Sequence, residues 1–214
     1  MVKSNSMSSV AKFLLSFLIL LSGCSSIPPV ANIDSRGSQI VCFGDSLTAG
    51  EGAGQGEDYP SRVAAVVTYP VINAGISGDT TEEALARLER DVLSQDPLLV
   101  VVILGGNDFL RHYSHRQTFG NLEKIIQRIQ AKGAMVVLAS VQGGLFGDVY
   151  RKEYLRLAKQ YKAAFIPNIL AGIISNPSLK SDEIHPNAAG YQKMADRIVE
   201  ATRPLLEENA RRRQ

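Results

Sequence analysis

A serine, a histidine and an aspartate stand in this chain where they could carry out nucleophilic catalysis together. Ser46 lies in the motif Gly-Asp-Ser-Leu, directly after a short apolar run. A serine hydroxyl is a weak nucleophile, so it needs an adjacent base to take its proton. Downstream, the segment Asp-Glu-Ile-His at 182–185 sets a carboxylate three residues before a histidine. His185 could act as that base, and Asp182 could hold its imidazole in the required tautomer. Each motif alone also fits a helix cap or a surface turn, so the interpretation depends on their combination.

Two glycine-containing segments could stabilise the negative charge of a tetrahedral intermediate. Gly78 follows a second apolar run, and Asn107 follows two glycines after the nearly continuous apolar run 98–104. Preorganised N–H donors at such positions lower the barrier to acyl transfer. We therefore predict an oxyanion hole made by the backbone N–H groups of Ser46 and Gly78 and the side-chain amide of Asn107. Either segment alone would be interpreted as a turn.

Alternating strand and helix patterns surround these motifs. Short apolar runs predict five strands, near residues 39–43, 71–74, 98–104, 135–141 and 163–166. Helical periodicity separates them, with a capping box at Thr80 and Glu83 and a cap at Asn187. This alternation predicts an α/β fold whose parallel sheet is covered by helices on both faces. Because ligands of such sheets bind at the carboxyl ends of the strands, the motifs should converge at one edge.

Taken in order, these motifs resemble those of the SGNH (GDSL) hydrolase superfamily. They are Gly-Asp-Ser-Leu at 44–47, Gly78, Gly-Gly-Asn-Asp at 105–108, and Asp182 with Ile-His-Pro at 184–186. The resemblance runs from about residue 39 to 205 and is strongest to the branch of thioesterase I, lysophospholipases and arylesterases. It implies a three-layer α/β/α fold like flavodoxin, acyl-ester substrates, no cofactor and no metal. It also implies that Ser46, Gly78, Asn107 and His185 are the residues for which the superfamily is named.

The N-terminus has the pattern of a secretory signal. Lys3 and Lys12 are followed by the apolar run 13–21, which is shorter than the roughly 20 residues of a membrane span. Leu-Ser-Gly-Cys at 21–24 resembles the lipobox of bacterial lipoproteins, which implies removal of residues 1–23 and acylation of Cys24. By resemblance to sorting in two-membrane bacteria, Ser25 implies the outer membrane, facing the periplasm. A one-membrane source would place the protein on the plasma membrane, and an uncleaved anchor helix is the alternative to cleavage.

Composition sets the remaining domain boundaries. Residues 24–38 contain two prolines, serines and a glycine, and we predict a tether there, followed by the hydrolase domain at 39–207. The last residues, 208–214, include three consecutive arginines and are predicted to be a solvated basic tail, with contact to anionic lipid as the alternative.

Charge and cysteine content exclude several classes of protein. The chain has 23 basic and 21 acidic residues, and Lys3 and Lys12 are the only charges before Cys24. The remainder is therefore neutral, which argues against a nucleic-acid binder. We also expect the protein to be a monomer. Cys42 lies in an apolar run and is expected to be an inert buried thiol. His112 and His115 could bind a metal from one helix, but no third ligand is evident.

Three functional hypotheses remain open at this point. The first is an esterase or thioesterase of acyl chains, including lysophospholipids, and the second is a deacetylase of a sugar or cell-wall glycan. The third is a non-catalytic surface lipoprotein, which the intact catalytic motifs disfavour. An apolar groove would favour the first hypothesis, and its candidate lining residues are Leu110, Tyr113, Leu145, Phe146 and Ile184.

Overall fold

A computed structural model describes residues 29–141 and 148–214 of the chain. The predicted signal sequence, the lipidation site Cys24 and the groove candidates Leu145 and Phe146 lie outside the described residues. No helix within the described residues is long and apolar enough to cross a membrane.

The centre of the fold is a parallel sheet of five strands in the order β2-β1-β3-β4-β5. This confirms the predicted α/β class, and the order is that of flavodoxin-like folds. Every residue of β3 is buried, which explains its continuous apolar sequence. The strands are β1 Gln39–Gly44, β2 Val71–Gly75, β3 Pro97–Ile103, β4 Met135–Ala139 and β5 Ala164–Ile166.

Helices cover both faces of the sheet, as predicted. Successive residues of β1 point to opposite faces, so Ile40 and Cys42 join one core cluster while Val41 and Phe43 join the other. Helices α2 and α7 pack on the first cluster, and α3, α5 and α6 pack on the second. The helices are α1 Ser46–Ala49, α2 Tyr59–Ala64, α3 Thr81–Asp91, α4 Gly106–Leu110, α5 His115–Ala131, α6 Asp148–Gln160 and α7 Ala188–Arg212.

Two helix starts lie directly beside the predicted catalytic motifs. Thr80 and Glu83 form a capping box that begins α3, as predicted, immediately after Gly78. The side chain of Asn187 accepts hydrogen bonds from two N–H groups of α7, also as predicted, shortly after His185. Such caps fix where the helix begins, so they also fix the loops that carry the motifs.

The predicted tether over 24–38 is wrong in its second half. Residues 29–38 pack beneath the amino-terminal edge of the sheet, where Ile33 contacts the core and Ser35 is buried. The side chain of Asn32 donates to the carbonyls of Gln130 and Ala134, and the N–H of Ser38 donates to the carbonyl of Asp96. Proline, serine and glycine make a sequence look like a linker, but here the segment's polar groups bond to the ends of neighbouring elements.

The predicted basic tail over 208–214 is helical, because α7 continues to Arg212, although its arginines are exposed as expected. Asn209 is fully buried and its side chain donates to the carbonyls of Ile33 and Ser35. Glu208 pairs with Arg211 and Arg212, one helical turn further on. The last turns of α7 therefore hold the docked N-terminal segment in place.

Candidate active site

Ser46 begins a short helix at the carboxyl end of β1. The side chain of Asp45 caps this helix by accepting from the N–H of Leu47 at 3.0 Å. The turn places Ser46, half-buried, at the point where the strand order changes direction between β1 and β3. Ligands of such sheets bind at that position.

The loop before α7 brings a histidine and a carboxylate to this serine. His185 Nε2 lies 3.0 Å from Ser46 Oγ, and His185 Nδ1 lies 2.7 Å from Asp182 Oδ2. The other carboxylate oxygen of Asp182 accepts from the N–H groups of Ile184 and His185, both at 2.8 Å. These bonds, first the one from His185, lower the pKa of Asp182 to about 2. The carboxylate is therefore charged at neutral pH and can stabilise an imidazolium.

The segments that carry Gly78 and Asn107 meet beside the serine's helix. Gly78 has a φ of +86°, which suits glycine, and it lies in the loop between β2 and α3. Asn107 is half-buried in α4, and its Nδ2 donates to the carbonyl of Asp79 at 3.0 Å. That bond uses one of the two amide hydrogens and leaves the other to donate elsewhere. The N–H of Ser46 belongs to the first turn of α1, where helix N–H groups have no intrahelical acceptor.

Several residues near the site were not singled out in the sequence. Arg87 is buried beneath the loop and pairs with Asp79, and Arg111 donates to the carbonyl of Gly78 at 2.8 Å. Tyr191 donates to the carbonyl of Glu51 at 2.8 Å, which ties α7 to the residues just after the nucleophile turn. Nothing in the sequence distinguishes Arg87 from a solvated helix arginine, although the neighbouring Gly-Asp-Thr motif hints at a structural Asp79.

The glycine-rich segment 50–56 packs against the histidine loop. A Cβ on Gly52 would lie 2.0 Å from the hydroxyl of Ser181 and 2.9 Å from the carbonyl of Pro186. Glycine is needed here because two backbone segments approach closely. The segment connects the serine's turn to the loop that carries His185.

Two other candidate residues, His115 and Cys42, have surroundings that indicate a structural role. His115 packs edge-on against Tyr150, with ring centroids 4.8 Å apart. Within residues 29–141 and 148–214, no group of three or more potential metal ligands occurs. Cys42 is buried, and burial raises the pKa of its thiol to about 12, as expected of an unreactive core cysteine.

Asp45, next to the nucleophile, is a buried carboxyl group. Burial raises the pKa of Asp45 from 3.8 to about 7, and the hydrogen bond from Leu47 opposes this only in part. The folded state therefore holds this proton more tightly than the unfolded chain. Such a group stabilises the fold fully below the unfolded pKa and loses that contribution as the pH rises through the folded pKa.

We expect the free energy of unfolding to fall between pH 4 and 7 because of Asp45, by up to about 4 kcal/mol. Urea unfolding of the wild type and of Asp45→Asn across this range measures the effect, and the variant should show a flatter profile. Asp58→Asn is the matched control, since Asp58 caps α2 in the same way but is half-buried. Parallel profiles for the wild type and Asp45→Asn would contradict the assignment.

Known proteins match this chain over most of its length. Residues 42–193 match the sequence model of the GDSL-like Lipase/Acylhydrolase family. The chain belongs to this family. It is therefore a carboxylic ester hydrolase, which confirms the enzyme class that the motifs predicted.

The chain is also similar to proteins that are named as esterases and thioesterases. Esterase TesA of Pseudomonas aeruginosa is 31% identical over 199 residues, which cover 88% of this chain and 98% of the relative. The thioesterase 1/protease 1/lysophospholipase L1 of Escherichia coli K12 is 30% identical over 185 residues, covering 78% and 84%. A crystal structure of TesA superimposes with a TM-score of 0.72 at 32% identity, covering 78% of this chain and 99% of that one. These matches confirm both the predicted fold and hydrolysis of esters or thioesters by a serine hydrolase.

Proposed function

We propose that Ser46, His185 and Asp182 are the catalytic triad of an acyl-ester or thioester hydrolase. The observation that carries the proposal is the continuous chain of contacts from Asp182 Oδ2 to His185 Nδ1 and from His185 Nε2 to Ser46 Oγ, at 2.7 and 3.0 Å. Ser46 and His185 are 139 residues apart in the sequence and have no structural need to meet at the edge of the sheet.

The reaction proceeds in two halves. Ser46 Oγ attacks the substrate carbonyl carbon while His185 Nε2 takes its proton, and the same proton then passes to the departing alcohol or thiol. This leaves an acyl group esterified to Ser46. Water then attacks the acyl carbon with His185 as base, and the proton returns to Ser46 Oγ as the carboxylic acid leaves. In both halves the oxyanion accepts from Ser46 N–H, Gly78 N–H and Asn107 Nδ2.

The surroundings of Ser46 favour an acyl chain over a small acetyl group. Among the described residues, five large hydrophobic side chains are exposed, and Ile76, Leu110 and Ile184 are three of them. Each lies within three residues of a triad or oxyanion residue, and Leu110 and Ile184 were predicted to line an apolar groove. Exposed apolar surface grouped at a site is a mark of binding. The esterase and lysophospholipase names of the relatives agree with this substrate class.

Hydrolysis of p-nitrophenyl esters of graded chain length tests the substrate class. We expect kcat/KM to rise from acetate to octanoate, and Leu110→Ser to lower the octanoate value by about 10-fold or more while sparing acetate, because burying one leucine is worth about 1.5–3 kcal/mol. Val66→Ser is the control, since Val66 is also exposed but lies after α2, beside Val199 and Arg203 of α7. A preference for acetate, unchanged in Leu110→Ser, would instead support deacetylation of a glycan.

We further propose that the protein is a lipoprotein of the bacterial cell envelope, attached through acylated Cys24, and, in a two-membrane source, faces the periplasm from the outer membrane. The lipobox resemblance at 21–24 supports the attachment. Residues 29–38 dock at the amino-terminal edge of the sheet, so the chain enters the domain at the end opposite Ser46. The residues between Cys24 and Pro29 can span at most roughly 18 Å. The catalytic edge would then face away from the anchoring membrane.

Cys24→Ser is expected to move the protein from the membrane to the soluble fraction with unchanged kcat, because several acyl chains are lost and the domain is untouched. Fractionation of the wild type and the variant, together with an ester assay of each fraction, measures this. Cys42→Ala provides a cysteine control that should remain with the membrane, because Cys42 lies in the apolar core. Continued membrane association of a processed Cys24→Ser protein would mean that another anchor exists.

A further inference from the structure

A buried arginine lies directly beneath the predicted oxyanion hole. Arg87, in α3, has an exposed fraction of 8%. Its Nε donates to the carboxylate of Asp79 at 2.5 Å, and the guanidinium lies 4.6 Å from the centre of the Phe43 ring. Two further nitrogens donate at 2.9 Å to the carbonyls of Ala74 and Gly44. An arginine fork offers its donors in one rigid plane, so these three acceptors are held in a fixed arrangement.

Three of the acceptors bound by Arg87, namely Gly44, Ala74 and Asp79, lie at the ends of the segments that carry the backbone oxyanion donors. Gly44 ends β1, two residues before Ser46. Ala74 and Asp79 lie on either side of the loop that carries Gly78. One side chain therefore sets the position of the Ser46 segment relative to the Gly78 segment.

Asp79 connects Arg87 to the third proposed oxyanion donor, the side-chain amide of Asn107. Its carboxylate pairs with Arg87, while its backbone carbonyl accepts from Nδ2 of Asn107 at 3.0 Å. The second hydrogen of that amide is the one proposed to reach the substrate oxyanion. A shift of Asp79 would thus turn the Asn107 amide as well as move Gly78.

We propose that Arg87 and Asp79 are positioning residues that set the spacing of the oxyanion-hole donors, so that their contribution to the reaction is made in the transition state. This inference rests on the proposed function, because it assigns work to the oxyanion hole named there. Neither side chain touches the substrate in this account. Their effect passes through the backbone of Ser46 and Gly78 and the amide of Asn107.

Asp91 provides a matched control, because it pairs with the same guanidinium. Asp91 also pairs with Arg87, at 3.1 Å, but it lies one turn further along α3 and bonds to no part of the loop. Asp79→Asn and Asp91→Asn each remove one negative charge from the same buried cation. A purely structural role for Arg87 predicts that the two variants behave alike in activity as well as in stability.

The test compares kcat and KM of both variants at a temperature where both are folded by circular dichroism. We expect Asp79→Asn to lower kcat by roughly 10- to 100-fold with KM nearly unchanged, the scale of a sub-ångström misplacement of catalytic groups. Asp91→Asn should keep kcat within about threefold of the wild type even if its melting temperature falls. Equal losses of kcat in the two variants would overturn the proposal.

A double-mutant cycle with Asn107→Ala provides a measurement that a change in stability alone would not affect. If Asp79 acts through the oxyanion hole, the fold-loss caused by Asp79→Asn should be at least about threefold smaller in the Asn107→Ala background, because groups that act together are not additive. Multiplicative losses would overturn the positioning role. An Asn107→Ala enzyme with full kcat would instead defeat the oxyanion assignment of the proposed function itself.

If Asp79→Asn does not fold, Arg87→Lys provides the alternative test of the proposal. Lysine keeps the positive charge, but its single ammonium cannot hold Gly44, Ala74 and Asp79 in one plane. We expect the same selective loss of kcat. A folded Arg87→Lys enzyme with wild-type kcat would overturn the proposal.

Discussion

Ser46→Ala is expected to lower kcat for ester hydrolysis by about 10⁴-fold or more while the protein stays folded. The nucleophile is lost, and the remaining oxyanion donors can assist only direct attack by water. The fold should persist because the variant deletes one half-buried oxygen, whereas the cap of α1 is formed by the side chain of Asp45. Initial rates with a p-nitrophenyl ester, together with circular dichroism, measure both effects.

Ser77→Ala is the matched control for this result. Ser77 lies at the same edge of the sheet, and its hydroxyl donates to the carboxylate of Glu51 at 3.1 Å on the exposed surface. Removing the same atom there should change kcat by no more than about threefold. Near-wild-type turnover by Ser46→Ala would remove Ser46 from the role of nucleophile.

Asn107→Ala is expected to lower kcat by about 10²–10³-fold, or roughly 2.7–4 kcal/mol, with a much smaller change in KM. The amide donates most strongly when the substrate oxygen carries full negative charge, so its loss affects the transition state rather than substrate binding. Residual activity should be measurable, because the N–H groups of Ser46 and Gly78 remain.

The rival interpretation is that Asn107 only joins α4 to the loop through the carbonyl of Asp79. Asn121→Ala controls for this, because the Asn121 amide of α5 also joins two elements, donating to the hydroxyl of Thr81 at 3.2 Å, but is not one of the proposed oxyanion donors. If Asn107→Ala lowers the melting temperature and raises KM while kcat stays within about threefold, the oxyanion assignment has to be abandoned.

The parts of the fold that follow from local pattern were predictable. Strand β3 is buried on both faces, so its sequence is apolar without interruption, and the capping box of Thr80 and Glu83 needs only four consecutive residues. The rule that carboxyl ends of parallel strands share an edge predicts that Ser46, Gly78 and Asn107 lie close together, because each follows a strand. His185 directly follows no strand, so its position beside Ser46 was implied only by the resemblance of the motifs to a known family.

Features that depend on long-range contacts could not be predicted in this way. The segment 29–38 looks like a linker, and it docks because carbonyls and amides far along the chain satisfy its polar groups. The arginine-rich end continues α7 because Asn209 is buried against that same segment. Arg87 is buried by a loop and two strand ends that no local pattern associates with it.

Trapping the acyl-enzyme is the most direct test of Ser46 as the nucleophile. A p-nitrophenyl octanoate reaction, quenched with acid within the first turnover, is digested and mapped by mass spectrometry. We expect one octanoyl group on the peptide that contains Ser46, formed together with a burst of p-nitrophenol, and neither the octanoyl group nor the burst in Ser46→Ala. An octanoyl group on another residue, or a full burst from Ser46→Ala, would contradict this role of Ser46.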